Sequence, residues 1–247
     1  DATYRERDRL VACRYRLTSD VMLWPFDLKA TDYFITPGQI QALGVAVGPD
    51  VMAGLRISLT HRMAPRREDE PSDEDAKKQP DSWFAGCRTT ELPVFFTGNE
   101  ADSVALYEEM FADCVGIYFR YLDEFGDPVV VPVPVKNLQQ VGFEEEDALL
   151  PNDNRVFRGF DLLREYFMFP RKFLGFNLTG LAAIMPRLKA KSVELIFTFD
   201  EINTRLSAAM QPSMFSFYTA PAINLFEKTT DRIAVKSNQH EYQVVPE

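Results

Sequence analysis

Two stretches of the chain carry the same order of predicted elements, and this order limits the fold more than any single motif. The first stretch contains LRISLT (55–60), ELPVFFTGNE (91–100), a helical pattern and GIYFRYL (116–122). The second contains FLGFNLT (173–179), VELIFTFDE (193–201), another helical pattern and MFSFYTA (214–220). Each predicts strand, loop, strand, acidic turn, helix and strand, so the sequence indicates a diverged internal duplication.

Alternation of apolar and polar residues supports the strands of this pattern. Leu55, Ile57 and Leu59 alternate with polar residues, as expected for a half-buried strand. The run VVVPVPV (129–135) contains two prolines, which cannot donate to a ladder, so it is predicted to be an edge strand or an extended segment. We therefore expect an α+β, strand-dominated fold with two related β-rich halves, each with one or two short helices, divided as 1–150 and 151–247.

Polar residues mark the starts of the predicted helices. Asn99 with Asp102 three residues later resembles a helix start. Asp200 is predicted to cap a second, short helix that carries Ile202 and Leu206. The segment at 62–82 is almost free of large apolar residues and has three prolines, so we expect a solvated, mobile loop or, as the alternative, a partner-binding loop.

The segment Phe157–Leu178 is the most aromatic part of the chain. It holds six of the 20 phenylalanines within 22 residues, interleaved with charges of both signs. A helix is predicted over Gly159–Phe169, ended by Pro170, with Phe160, Leu163 and Phe167 on one face. Most of these rings are expected to be core, and the segment to be a packed hinge or a docking surface.

Composition excludes several classes of protein. The net charge of −10 opposes binding to nucleic acid or anionic lipid. The three cysteines form no CxxC pair, and no apolar run approaches the ~18 residues of a membrane span. We expect a cytoplasmic protein without nucleic-acid binding or membrane insertion.

A search for chemistry finds no catalytic, cofactor or metal signature. The chain has two histidines and lacks HExxH, GxSxG, GxxxxGK[ST] and GxGxxG motifs. Glu108 with Glu109, or Asp200 with Glu201, could serve as a glycosidase pair. Adjacent acids on a helix point about 100° apart, however, and acids at a helix start are explained by the helix dipole. No catalytic residue, cofactor or metal is therefore predicted.

Three segments together resemble a known family. They are CRYRLTSDVMLWPFDL (13–28), FRGFDLLREYFMFPRKFLGFNLTGL (157–181) and APAINLFEKTTDRIAVKSNQHEYQVVPE (220–247). The second and third resemble long signatures of the baseplate subunit family TssF of type VI secretion systems, also called ImpG or VasA. Members of that family are about twice this long, so the chain looks like a central portion.

The resemblance implies a structural role without catalysis. Proteins of this family pair with TssG, are held by TssK and contact the sheath initiator TssE. Their wedges surround the spike hub, a second TssF copy can be present, and the assembly docks at the inner-membrane secretion complex. Aromatic anchors with a polar rim suit such a role.

The residues expected to set structure or to dock partners lie in the two later signatures. They are Phe160, Arg164, Tyr166, Phe169, Arg171, Phe173, Asn224, Phe226, Glu227, Arg232 and Tyr242. Core packing is the alternative for each phenylalanine, and an ion pair with Glu165 or another acid is the alternative for Arg164 and Arg171. Two other functions stay open: a carbohydrate-active enzyme or binding module, and another phage-tail-like structural protein.

Overall fold

A computed structural model of the chain describes residues 2–6, 9–62, 83–150, 159–225 and 230–244. The strands are β1 (Ala2–Glu6), β2 (Arg9–Cys13), β3 (Arg16–Leu17), β4 (Phe26–Phe34), β5 (Ala53–His61), β6 (Leu92–Phe96), β7 (Cys114–Leu122), β8 (Pro128–Val133), β9 (Leu138–Gln140), β10 (Gly175–Leu178), β11 (Ser192–Phe199), β12 (Phe215–Ser216) and β13 (Ala222–Ile223). The α-helices are α1 (Pro37–Gln41), α2 (Glu100–Ala112), α3 (Gly159–Met168) and α4 (Thr204–Ala209). The predicted α+β, strand-dominated class is confirmed.

Two antiparallel sheets form the body of the molecule. The first has the order β4-β5-β11-β7-β8, and the second has the order β12-β6-β10-β9. Two short ribbons, β1-β2 and β13-β3, accompany them. The edge position predicted for the proline-containing run is confirmed, because β8 pairs with β7 alone and places Pro132 opposite Tyr118.

Strands from the two predicted halves alternate within each sheet. In the first sheet β11 lies between β5 and β7, and in the second β6 lies between β10 and β12. The ranges 1–150 and 151–247 therefore form one interleaved β-sandwich rather than two consecutive domains. Each repeat nevertheless keeps the predicted order of strand, strand, helix and strand, with the roles of the two sheets exchanged.

The inner faces of the sheets share one apolar core. The alternation predicted for β5 is confirmed, because Leu55, Ile57 and Leu59 are all buried in this core. The ring of Phe176 from β10 meets that of Phe197 from β11, with centroids 5.4 Å apart. This contact joins the second sheet to the first across the sandwich, since each ring belongs to the central part of its sheet.

The outer face of the first sheet is covered by its own chain. Ile40 of α1, Val45 and Val51 pack against Ile196 of β11, and all four are buried. Covering on both faces explains why β11 is apolar at successive positions rather than at alternate ones. Arg62, the first residue of the predicted loop, pairs with Asp27, and the rest of that loop lies outside the described residues.

Asparagines begin both equivalent helices. The Oδ1 of Asn99 accepts a hydrogen bond from the Asp102 amide at 2.9 Å, which confirms the predicted start of α2. The prediction that Asp200 caps α4 is wrong, because Asn203 does so and accepts from the Leu206 amide. Asp200 lies just after β11, and its amide donates to the Asp113 carbonyl at 3.1 Å.

A buried carboxyl links α2 to the first sheet and to α4. The hydroxyl of Tyr33 donates to Oε1 of Glu109 and accepts from the amide of Asn203 at 2.9 Å. Burial raises the pKa of Glu109 to about 7, an effect that the Tyr33 hydrogen bond partly opposes. The carboxyl is therefore held partly protonated near neutral pH.

The raised pKa makes the free energy of unfolding depend on pH. The folded state holds a proton on Glu109 that the unfolded state, with a pKa near 4.5, releases earlier. Stability from this group is thus full below that value and falls as pH rises towards 7, by at most about 3 kcal/mol. We expect Glu109→Gln to remove this fall, as measured by urea unfolding between pH 5 and 8. Parallel pH profiles for both proteins would contradict the assignment.

Two glycines face strand carbonyls where the repeats interleave. A Cβ at Gly175 would lie 2.5 Å from the Val94 carbonyl oxygen, and one at Gly54 would lie 2.9 Å from that of Phe197. Because backbone must move to relieve either clash, Gly175→Ala and Gly54→Ala are expected to lower the free energy of unfolding by about 1–3 kcal/mol.

Gly38 in α1 is the matched control, because a Cβ there meets nothing within 4 Å. Gly38→Ala should leave the denaturation midpoint unchanged or slightly raised. Equal effects at all three glycines would show that the loss of stability comes from replacing glycine as such, and not from a clash between the interleaved backbones.

Candidate protein-docking surface

Helix α3 exposes large apolar side chains around most of its circumference. Phe167 and Met168 are each 76% exposed, and Phe160 is 71% exposed. The set, named here the aromatic helix surface, consists of Phe160, Leu162, Leu163, Tyr166, Phe167, Met168 and Phe169. The prediction that most rings of this segment are core is wrong for the helix, and it holds for Phe173 and Phe176, which are buried.

The helix begins at the predicted residue, Gly159, and ends at Met168, one residue before the predicted end. Asp161 lies in the first turn, where its negative charge interacts favourably with the helix dipole and stabilises the helix. The amide of Phe169 still bonds to the Glu165 carbonyl at 2.8 Å, and Pro170 then starts a 3-10 turn, Pro170–Phe173, that leads into β10. The exposed helix is thus tied directly to a strand of the second sheet.

A buried ion pair fastens α3 to the body. Glu165 and Lys172 lie 2.5 Å apart, with side chains only 4% and 2% exposed. The other oxygen of Glu165 accepts from the Leu149 amide at 2.8 Å. Glu165 is the buried residue of α3, so a charged contact, and not an apolar face, holds this helix.

Arg164 and Arg171 have partners other than Glu165. Arg164 pairs with Asp161 one turn earlier at 2.7 Å, and Arg171 donates to the Gly98 carbonyl at 3.2 Å. The alternative of an ion pair with Glu165 or another acid is confirmed for Arg164, whose partner is Asp161, whereas Arg171 donates to a backbone carbonyl instead. Sequence reasoning missed Lys172 as the partner, although opposite charges seven residues apart across Pro170 were a usable signal.

A small ring cluster lies beside the ion pair. The ring of Phe173 contacts those of Phe143, at 4.8 Å between centroids, and Tyr166, at 5.7 Å. The ammonium of Lys172 lies 5.1 Å from the Phe173 ring centre. Tyr166 is half exposed, so this cluster connects the core to the aromatic helix surface.

Two segments of the predicted signatures meet at a small apolar pocket. Phe169 and Arg171 line it together with Phe95 and the run from Thr219 to Pro221, and its volume is about 180 Å³. The aromatic helix surface thus continues towards the C-terminal part of the chain.

The candidate residues further along the chain are not gathered at α3. Asn224 and Arg232 are exposed, and the hydroxyl of Tyr242 donates to the Lys236 carbonyl at 3.0 Å. Phe226 and Glu227 lie outside the described residues. The structure therefore brings Tyr166 together with Phe173, and Phe169 together with Arg171, and among the described residues it shows no hydrogen bond, ion pair or ring contact between these four and Asn224, Arg232 or Tyr242.

Neither of the proposed carboxylate pairs lies with both acids in an enclosed site. Glu108 is exposed whereas Glu109 is enclosed against Tyr33, and Asp200 and Glu201 are both exposed. Across the described ranges, no group of three or more His, Cys, Asp or Glu side chains could hold a metal ion. In the same part of the chain, no helix is long and apolar enough to cross a membrane.

Comparison with known proteins gives a consistent result. A family model described as type VI secretion system, TssF, matches residues 1–247. The type VI secretion system component TssF1 of Pseudomonas aeruginosa is 30% identical over 238 residues. A chain in the solved TssK-TssF-TssG baseplate subcomplex of a type VI secretion system has the same fold, with a TM-score of 0.65 at 20% identity.

The chain covers only part of each of these relatives. The alignment takes in 96% of this chain and 35% of the Pseudomonas protein. The structural match takes in 97% of this chain and 38% of the solved one. The chain thus spans little more than a third of the length of the relatives it matches.

The buried ion pair predicts how α3 is held. Lys172→Met should lower the free energy of unfolding by about 3–5 kcal/mol, because Glu165 would be left buried without its partner. Adding Glu165→Gln removes the orphaned charge and keeps an acceptor for the Leu149 amide, so the double variant should recover most of the loss. Urea denaturation of both single variants and the double variant measures this coupling. Additive losses would contradict a coupled pair.

Proposed function

Because the chain belongs to the TssF family of type VI secretion systems, we propose that it is part of a baseplate wedge whose aromatic helix surface docks a neighbouring subunit. The family supplies the assembly, and the observation that carries the docking role is the exposure of α3. Phe160, Phe167 and Met168 are each more than 70% exposed on one ten-residue helix. Exposed apolar area of this kind marks protein interfaces.

The form of the surface suits an assembly that must hold its partners firmly. Large rings of fixed shape lose little side-chain entropy on binding, and charged groups at their edge add specificity. The Arg164 and Asp161 pair lies within the helix and supplies such an edge. Because Glu165 and Lys172 fix the helix from below, its exposed rings are presented in a defined arrangement.

TssG-like and TssK-like subunits are the proposed partners, since the solved relative comes from a TssK-TssF-TssG subcomplex. We extend the proposal to a TssE-like sheath initiator, the spike hub and a second TssF copy, as contacts of the complete wedge. The proposed location is the cytoplasm, at the inner-membrane secretion complex. No reaction is proposed, because the name of the family and that of the solved complex both describe secretion components.

The docking role predicts a loss of assembly without a loss of fold. In the full-length protein, Phe167→Ser with Met168→Ser should weaken co-purification with the TssG-like and TssK-like subunits at least tenfold. The melting temperature should be unchanged, because both side chains are exposed. Pull-down and differential scanning fluorimetry measure the two effects.

Phe125 provides the matched control. It is 82% exposed and lies in the turn between β7 and β8, away from α3 in the chain. Phe125→Ser should leave assembly intact. Normal assembly by the α3 double variant would exclude the aromatic helix surface as the dock, and failure of the wild-type protein to bind either subunit would exclude the baseplate role.

A further inference from the structure

The two repeats correspond residue by residue where they interleave. Gly54 of β5 lies opposite Thr198, the residue before the last of β11. Gly175 of β10 lies opposite Phe95, the residue before the last of β6. In each case a Cβ on the glycine would strike the carbonyl two residues before the end of the facing strand. The last residues of the facing strands, Phe199 and Phe96, therefore occupy equivalent positions.

The connections to the helices confirm the correspondence. The amide of Thr97, just after β6, donates to the Met214 carbonyl just before β12, at 2.8 Å. The amide of Asp200, just after β11, donates to the Asp113 carbonyl just before β7, at 3.1 Å. The molecule is thus related to itself by an approximate exchange of its two sheets.

This exchange matches residues on the outer faces as well. Counting back from the equivalent phenylalanines, Ile196 corresponds to Pro93 and Glu194 corresponds to Glu91. The carboxylate of Glu194 accepts a hydrogen bond from the guanidinium of Arg56, on the neighbouring strand, at 3.0 Å. The carboxylate of Glu91 accepts a hydrogen bond from the side-chain amide of Asn177 at 2.8 Å. Asn177 lies two residues after Gly175, just as Arg56 lies two residues after Gly54.

The two equivalent outer faces differ in what covers them. On the first sheet, Ile196 is fully buried under Ile40, Val45 and Val51. On the second sheet, Pro93 and Phe95 are only partly buried and line an open groove of about 800 Å³. The groove therefore stands where the first sheet carries its covering segment, 37–52.

Charge also distinguishes the two faces. Arg120 of β7 bridges Glu194, at 2.5 Å, and the carbonyl of Leu43 in the covering segment. The described part of the second sheet shows no equivalent cation, because β12 has two residues and the chain then turns at Tyr218, where φ is +59°. Glu91 is left with the amide of Asn177 as its partner among the described side chains.

Other acids extend this unbalanced charge around the groove. The acidic lining residues are Asp20, Glu91, Glu144, Glu146 and Asp147. Lys172 is the basic side chain among the described lining residues, and its ammonium is committed to Glu165. An occupant of this groove must therefore bring its own positive charge.

We propose that this groove is a second docking site, which receives a short segment of a partner subunit carrying an apolar side chain next to a lysine or arginine. The apolar side chain packs on Pro93 and Phe95, as Ile40 packs on Ile196 in the first sheet. The basic side chain pairs with Glu91, as Arg120 pairs with Glu194. The identity of the partner as a baseplate subunit rests on the function proposed above, whereas the location and chemistry of the site rest on the repeat.

Site-specific cross-linking in the assembled complex tests the location. A benzoylphenylalanine is placed at Gln139, an exposed residue that lines the groove, in the full-length protein co-purified with its TssG-like and TssK-like subunits. Irradiation should join it to a partner peptide that contains a lysine or arginine beside an apolar residue. The same group at Phe125 is the control and should not give this product.

Cross-links from Gln139 only to its own chain, or none while the complex is intact, would overturn the second site and leave the baseplate role standing. A complex that does not form even with the wild-type protein would overturn the baseplate role, and the partner named here with it. The two failures are therefore separable in one experiment.

Glu91→Gln tests the chemistry of the site. It keeps an acceptor for Asn177 and removes the charge, so the fold should persist while affinity for the partner falls about tenfold or more. The remaining affinity should also depend less on salt. Glu124→Gln, at an exposed acid in the turn between β7 and β8, is the matched control and should bind normally. Wild-type affinity for Glu91→Gln would contradict the proposal.

Discussion

The mutual insertion of two middle strands is the constraint on which the structure depends. β11 pairs on both sides because it lies between β5 and β7, which do not pair with each other. In the same way, β6 pairs on both sides because it lies between β10 and β12. Neither repeat can complete its own sheet alone, because its middle strand belongs to the sheet of the other. The apolar core, joined through the rings of Phe176 and Phe197, forms only when both repeats are in place.

This arrangement frees other parts of the chain from a packing role. The core is built by the interleaved strands, so α3 can be held by one buried ion pair and still expose its rings. The comparison of the repeats also contrasts the two outer faces, since Ile196 is covered by α1 and the segment after it, whereas Pro93 and Phe95 line an open groove among the described residues. The proposed docking functions use these two places, where the fold leaves apolar surface unburied.

Local patterns predicted the strands of the sandwich and much less of its arrangement. Alternation identified β5, and the prolines placed β8 at an edge, because these signals depend on neighbours in the chain. The insertion of β11 between β5 and β7 depends on pairing across long sequence separations, which alternation does not encode. The division of the chain near residue 150, which the sequence predicts, therefore separates strands that share the same sheets.

The candidate site shows the same boundary between local and tertiary information. The end of α3 followed from Pro170, but the aromatic content of Phe157–Leu178 predicted buried rings, and among its described phenylalanines only Phe173 and Phe176 are buried. An apolar helix is buried when another element covers it, and composition does not report whether one does. The pairing of Lys172 with Glu165 and the enclosure of Glu109 likewise required the folded arrangement.

Native-state hydrogen exchange of the full-length protein tests the interleaved fold most directly. The amides of β6 and β11 should exchange with the same free energy and the same dependence on denaturant, because opening either strand disrupts both sheets. Exchange of β6, β10 and β12 at a clearly lower free energy, with β5, β11 and β7 still protected, would contradict the account and show two separable sheets.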